Sequence, residues 1–118
     1  AVVTSLDGYD EISLTNEFKV IMKHYERIYR PEEMGIPSLQ PQELFGGNTP
    51  QEAASIFDDI LYNRATGSQK DCVLYNAAFA IQVLEPTKLI DECTAIARES
   101  LESGKALRTL KKFIELNS

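Results

Sequence analysis

Two periods of hydrophobic and polar positions divide the chain. Near the start, Phe18-Lys-Val-Ile-Met22 places Phe18, Val20 and Met22 on one face at a spacing of two, which predicts a half-buried strand. Ala1 to Ser5 is a short apolar run that also reads as a strand. Glu26-Arg-Ile-Tyr-Arg30 is placed to return antiparallel, with Lys23, His24 and Tyr25 around the turn. Pro31, Gly35, Pro37 and Pro41 then interrupt regular structure and lead into a short helical piece at Pro41–Phe45.

From Thr49 onward the spacing becomes helical. Thr49-Pro-Gln-Glu52 has the form of a capping box, in which the threonine oxygen accepts the N3 amide and Glu52 reaches back to the cap amide. Ala53, Ile56, Phe57, Ile60 and Leu61 follow as one apolar face. Ser68-Gln-Lys-Asp71 reads as a second cap, opening a helix from Cys72 to Leu84 that is apolar nearly all round and therefore expected to be buried on several sides. Pro86 ends it. A third helix, from about Thr87, is expected to turn Leu89, Ile90, Cys93, Ile96 and Ala97 inward, with Gly104 at its C′ position. A last helix from Lys105 presents Ala106, Leu107, Leu110, Phe113 and Ile114. The fold class expected is α/β: short N-terminal strands and a hairpin over about residues 1–30, then a C-terminal helical bundle over about 41–118. Because the chain opens on Ala1 inside an apparent strand, it is expected to be a piece of a longer protein with a larger sheet.

Composition adds exclusions. The 118 residues suffice for one core, and 43% apolar with 25% charged residues is ordinary for a folded domain. A net charge of −6 argues against general nucleic-acid or membrane-surface binding. No run of about 18 apolar residues is present, so no membrane span is expected. Cys72 and Cys93 are too far apart for a CxxC motif and read as reduced thiols of a cytoplasmic protein.

The candidate chemistry begins at Ser5-Leu-Asp-Gly-Tyr-Asp-Glu-Ile-Ser13. In an extended strand the adjacent acids Asp10 and Glu11 would face opposite ways. Gly8 permits a turn of positive φ that could bring both carboxylates to one side. On the residues alone, a solvated acidic turn and a magnesium site both remain open, since Mg2+ takes one or two carboxylates together with substrate phosphates and water. Gly46-Gly47 precedes a helix but lacks the spacing of a phosphate loop, so it reads as a structural turn. His24 reads as an exposed hairpin-tip residue, Asn76 as a packed amide with satisfied hydrogen bonds, and Phe18, Phe45, Phe57, Tyr75, Phe79 and Phe113 as mostly core. No nucleophile–base motif is readable.

The order of motifs resembles that of the anthranilate phosphoribosyltransferases. Ser5 to Thr15 is similar to their DGLDE(I/L)S-x-T segment, and Arg30-Pro-Glu-Glu-Met-Gly-Ile-Pro37 to DPEDFGLP. Phe45-Gly-Gly-Asn48 with Glu52-Ala-Ala54 resembles GGD…ENA, Asn48 standing where the family usually has Asp. Lys70 to Ala80 resembles RDAVLLNAAAAL, and Ala97 to Leu107 resembles AREAIDSGKAL. The resemblance covers essentially the whole chain. It implies that residues 1–118 are the C-terminal portion of the family's large α/β catalytic domain. It also implies transfer of phosphoribosyl from phosphoribosyl diphosphate (PRPP) to anthranilate, a step of tryptophan biosynthesis. By motif position, Asp10 and Glu11 take the role of the family's magnesium-holding pair, which turns the balance for them towards a metal site.

The same resemblance implies what this segment lacks: the glycine-rich diphosphate loop, the anthranilate contacts and the small domain through which the family forms homodimers. The isolated chain is therefore expected to be inactive. Two other readings compete, a nucleic-acid-binding relative of the same fold and a non-catalytic interaction module. The retained Asp10–Glu11 pair and the acidic charge count against the first; apolar surface left by missing neighbours would favour the second.

Overall fold

The computed structural model describes residues 1–118. Three strands, β1 (Val2–Ser5), β2 (Phe18–Ile21) and β3 (Glu26–Tyr29), form an antiparallel sheet in the order β1-β2-β3. Register follows from the apolar alternation: Ser5 lies opposite Phe18, and Phe18 opposite Tyr29. Phe18 and Val20 are thereby wholly buried, with Met22 packed against the same cluster. His24 is exposed in the β2–β3 turn. Two 3-10 turns, Pro31–Met34 and Pro41–Leu44, carry the chain across to the helices.

Four helices follow: α1 (Pro50–Leu61), α2 (Gly67–Leu84), α3 (Ile90–Glu102) and α4 (Lys105–Leu116). Helix α2 joins the two halves of the molecule. Its Tyr75 and Phe79 complete a cluster with Ile12, Leu14, Phe18, Val20, Tyr29 and Leu39 over the sheet. Phe79 meets Phe18 and Tyr29 edge-on, at ring-centroid distances of 5.8 and 5.2 Å. On the other side of α2, Leu74 packs with Ala97 and Leu101 of α3. Gly104, at φ +76°, turns the chain between α3 and α4, as its place after the third helical pattern predicts.

Several boundaries and faces differ from the sequence reading. The cap of α2 is Thr66, whose hydroxyl accepts the Gln69 amide while the Gln69 side chain accepts the Thr66 amide. Ser68 instead donates to Glu43 at 2.6 Å. In α1, Thr49 accepts the Glu52 amide as expected, but the Glu52 carboxylate reaches the amide of Asn48 rather than that of the cap. Helix α3 starts at Ile90, three residues late, because Glu92 satisfies the Leu89 amide and sets the first turn there.

The larger correction concerns burial. Helix α1 and α4 bury no residue completely: Phe57 is 52% exposed, Phe113 63% and Ile114 54%. Phe45, Leu89, Ile96 and, on α2, Val73, Val83 and Leu84 are exposed as well. Only 17 of 118 residues are buried, and the radius of gyration, 14.7 Å, exceeds the roughly 13.5 Å of a compact chain of this length. The apolar periodicity is real, but this stretch of chain does not itself cover those faces.

Candidate functional site

The segment between β1 and β2 carries the acidic pair. Gly8, at φ +105°, turns the chain beyond β1, and Asp10 and Glu11 both sit exposed in the bend that follows. The next three residues reverse this character: Ile12, Ser13 and Leu14 are buried. Leu14 holds a left-handed φ of +61° while wholly inaccessible, a conformation costly for a branched side chain. Its carbonyl accepts the Leu39 amide at 2.9 Å. A rigid, strained anchor thus lies directly beside two exposed carboxylates.

Hydrogen bonds fix the turn from both sides. From β1, the Ser5 hydroxyl donates to the Glu11 carbonyl at 2.7 Å and accepts the Ser13 amide at 3.0 Å. The Thr15 hydroxyl donates to Asp7 at 2.5 Å. The single Ser13 proton is therefore left to donate to one of its two neighbours, Ser5 at 2.9 Å or Thr15 at 2.7 Å. From α2, the Asn76 amide grips Ile12 at both backbone groups. Its Oδ1 accepts the Ile12 N–H at 3.1 Å, and its Nδ2 donates to the Ile12 carbonyl at 2.7 Å. The second Nδ2 proton reaches the Cys72 carbonyl at 2.9 Å. The Cys72 thiol donates to the same Ile12 carbonyl at 3.1 Å.

These contacts confirm Asn76 as a packed amide with its hydrogen bonds met. No buried side-chain nitrogen or oxygen lacks a partner. Ser5 and Ser13 carry no signal in the sequence, because a serine beside a strand has no pattern of its own; an amide within an apolar helix is the one legible sign of this network.

Asp10 and Glu11 take no part in the chain's ion pairs, which engage Glu17, Glu26, Glu33, Asp59, Asp71, Glu85, Glu99, Glu102 and Glu115. Burial pushes the Cys72 thiol pKa up, and the nearby Glu11 charge adds to that shift. No group of three or more His, Cys, Asp or Glu side chains gathers anywhere in the chain. The pair therefore cannot cage a cation alone. As two hard, partner-free oxygen donors open to solvent, it fits Mg2+, which commonly takes one or two carboxylates and completes its octahedron with water and substrate phosphate.

Gly47 marks a structural position. At φ +89°, an added Cβ would lie 2.7 Å from the Glu52 Cβ and 3.1 Å from the Ala53 nitrogen, so the glycine lets the loop pass over the start of α1. No helix is long and apolar enough to cross a membrane.

Comparison with known proteins places this geometry. The family model "Glycosyl transferase family, a/b domain" matches residues 1–107. The anthranilate phosphoribosyltransferase of Phocaeicola vulgatus is 66% identical over all 118 residues, which correspond to 36% of that protein. That of Bacteroides thetaiotaomicron is 64% identical over the same span. The solved anthranilate phosphoribosyltransferase of Saccharomyces cerevisiae superposes with a TM-score of 0.82 at 25% identity, over 96% of this chain and 34% of its own. The chain thus spans about a third of the length of the relatives it matches.

Proposed function

The chain belongs to the glycosyl transferase family, matching its α/β domain, and from that premise we propose that it is the part of an anthranilate phosphoribosyltransferase that carries the cation-holding acidic turn. The whole enzyme transfers phosphoribosyl from PRPP to the amino group of anthranilate and releases diphosphate. The observation that carries this reading is the exposed, partner-free Asp10–Glu11 pair on a turn anchored to β1 and α2. It lies in a chain 66% identical throughout to a protein of that name.

The contribution of this segment is electrostatic and positional. Asp10 and Glu11 would supply the oxygen ligands for Mg2+. A cation held by these two residues would supply positive charge against the negative charge that builds on the departing diphosphate. The buried Ile12–Leu14 anchor limits how far the backbone beneath the two carboxylates can move when a polyphosphate arrives. No readable nucleophile–base pair is needed, because the displaced group leaves as a stable anion and the attacking amine comes from the acceptor.

The test is a chimaera in which this chain replaces the matching segment of the Phocaeicola vulgatus relative. With PRPP and Mg2+ the chimaera consumes anthranilate, followed by loss of its fluorescence, while the isolated chain consumes none. A folded chimaera without turnover, or turnover by the isolated chain, overturns the reading.

A further inference from the structure

The network around Ile12 does more than satisfy buried groups. We propose that Asn76 of α2 and Ser5 of β1 are positioning residues for the acidic turn, setting the backbone at Glu11 and Ile12 so that both carboxylates are presented to a divalent cation. This rests on the cation-binding reading of Asp10 and Glu11 and adds to it the residues that give the turn its shape.

The geometry is specific. Glu11 has its carbonyl fixed by the Ser5 hydroxyl at 2.7 Å, and the next residue has both backbone groups fixed by a single Asn76 amide, at 3.1 and 2.7 Å. A side-chain amide paired this way with one residue substitutes for a strand neighbour, holding φ and ψ where no sheet partner exists. Asn76 is itself oriented by its bond to the Cys72 carbonyl one helical turn earlier, so the clamp is attached to the rigid frame of α2. Phe79, three residues further along α2, packs on Phe18 and Tyr29 and ties the helix to the sheet. Ser5 faces the turn from the end of β1. The turn is therefore gripped from two elements whose relative placement is fixed by the core. The left-handed Leu14 two residues beyond Ile12 shows that this backbone is held against its own preference.

Mn2+ serves as the probe, because its paramagnetism broadens nearby amide resonances even when binding is weak. In the unmutated 118-residue chain, Mn2+ should broaden the Asp10, Glu11 and Ile12 amides, an effect abolished in Asp10→Asn/Glu11→Gln. Asn76→Ala and Ser5→Ala should each raise the Mn2+ concentration needed for half-broadening by about fivefold or more, while helical circular dichroism stays intact. A merely structural Asn76 would lower the melting temperature and leave that concentration unchanged. Asp91→Asn, which removes a carboxylate elsewhere, should have no effect.

Hydrogen exchange in the unmutated chain gives a measurement that survives if a variant fails to fold: the Ile12 amide should exchange at least 100-fold more slowly than that of Asp10. Equal exchange at the two amides overturns the clamp. Unchanged Mn2+ response in folded Asn76→Ala overturns the positioning role while leaving the acidic pair as ligands. Absence of Mn2+ broadening in the parent chain, or its persistence in Asp10→Asn/Glu11→Gln, overturns the cation reading and the positioning role with it.

Discussion

Replacing Phe79 by alanine tests whether α2 is the element that holds the two halves together. Phe79 is 1% exposed, and its ring meets Phe18 at 5.8 Å and Tyr29 at 5.2 Å, both edge-on. Removing a buried phenyl group costs about 3–5 kcal/mol through lost transfer energy and the cavity that remains. The two aromatic contacts, each worth about 0.5–1.5 kcal/mol, place this site toward the upper part of that range. A chain of this length has a stability on the order of 6–18 kcal/mol, and a total of only 17 buried residues puts it toward the lower end. Phe79→Ala should therefore remove a large fraction of the total. Urea denaturation followed by far-ultraviolet circular dichroism reads this as a lowered midpoint at similar slope. Phe113→Ala, on the exposed face of α4, should change stability by no more than about 0.5 kcal/mol. A Phe79→Ala cost below about 1 kcal/mol, or equal costs at the two positions, would refute the packing argument.

Other positions give independent expectations. Gly47→Ala should cost about 2 kcal/mol or more, from its positive φ and the close approach to α1, whereas Gly46→Ala, which meets nothing, should be nearly silent in the same denaturation assay. Glu43 is held below the ordinary carboxylate range by the Gln40 amide and the Ser68 hydroxyl, and Glu102 by its bond to Lys70. A depressed folded pKa stabilises above the unfolded value and is lost as pH falls through the folded one, so the urea midpoint should drop as pH falls below about 4.5. Glu43→Gln/Glu102→Gln should flatten that drop; an unchanged pH profile would refute the assignment. Because the Glu11 charge adds to the upward shift of the Cys72 thiol, Glu11→Gln should speed iodoacetamide alkylation of Cys72 at pH 8. Fully buried Cys93 should stay unmodified in both proteins, as peptide mass mapping would show.

The elements legible in the sequence are those specified by local chemistry. Alternation at Phe18 and Val20 gave β2, the Thr49 cap gave α1, and Gly104 gave the break between α3 and α4. Burial was not legible for α1 and α4, because periodicity says which face wants a partner and cannot say whether this stretch of chain supplies one. Phe57 and Phe113 lie on such faces. The acidic pair was legible as a candidate from Gly8 and the adjacency of Asp10 and Glu11. Its support from Ser5 and Asn76 was not, since 64 residues separate Ile12 from Asn76 and only the fold brings them together. The cap of α2 was misplaced because Thr66 and Ser68 both suit the position, and the pairing with Gln69 decides between them.

Whether Asp10 and Glu11 hold the cation is decided by the Mg2+ dependence of phosphoribosyl transfer in the chimaera, with and without Asp10→Asn/Glu11→Gln. The double variant should fold, lose at least about 100-fold in kcat/KM for PRPP, roughly 2.7 kcal/mol of transition-state stabilisation, and recover little at high Mg2+. Full activity with an unaltered Mg2+ requirement would contradict it and return Asp10 and Glu11 to the status of a solvated turn.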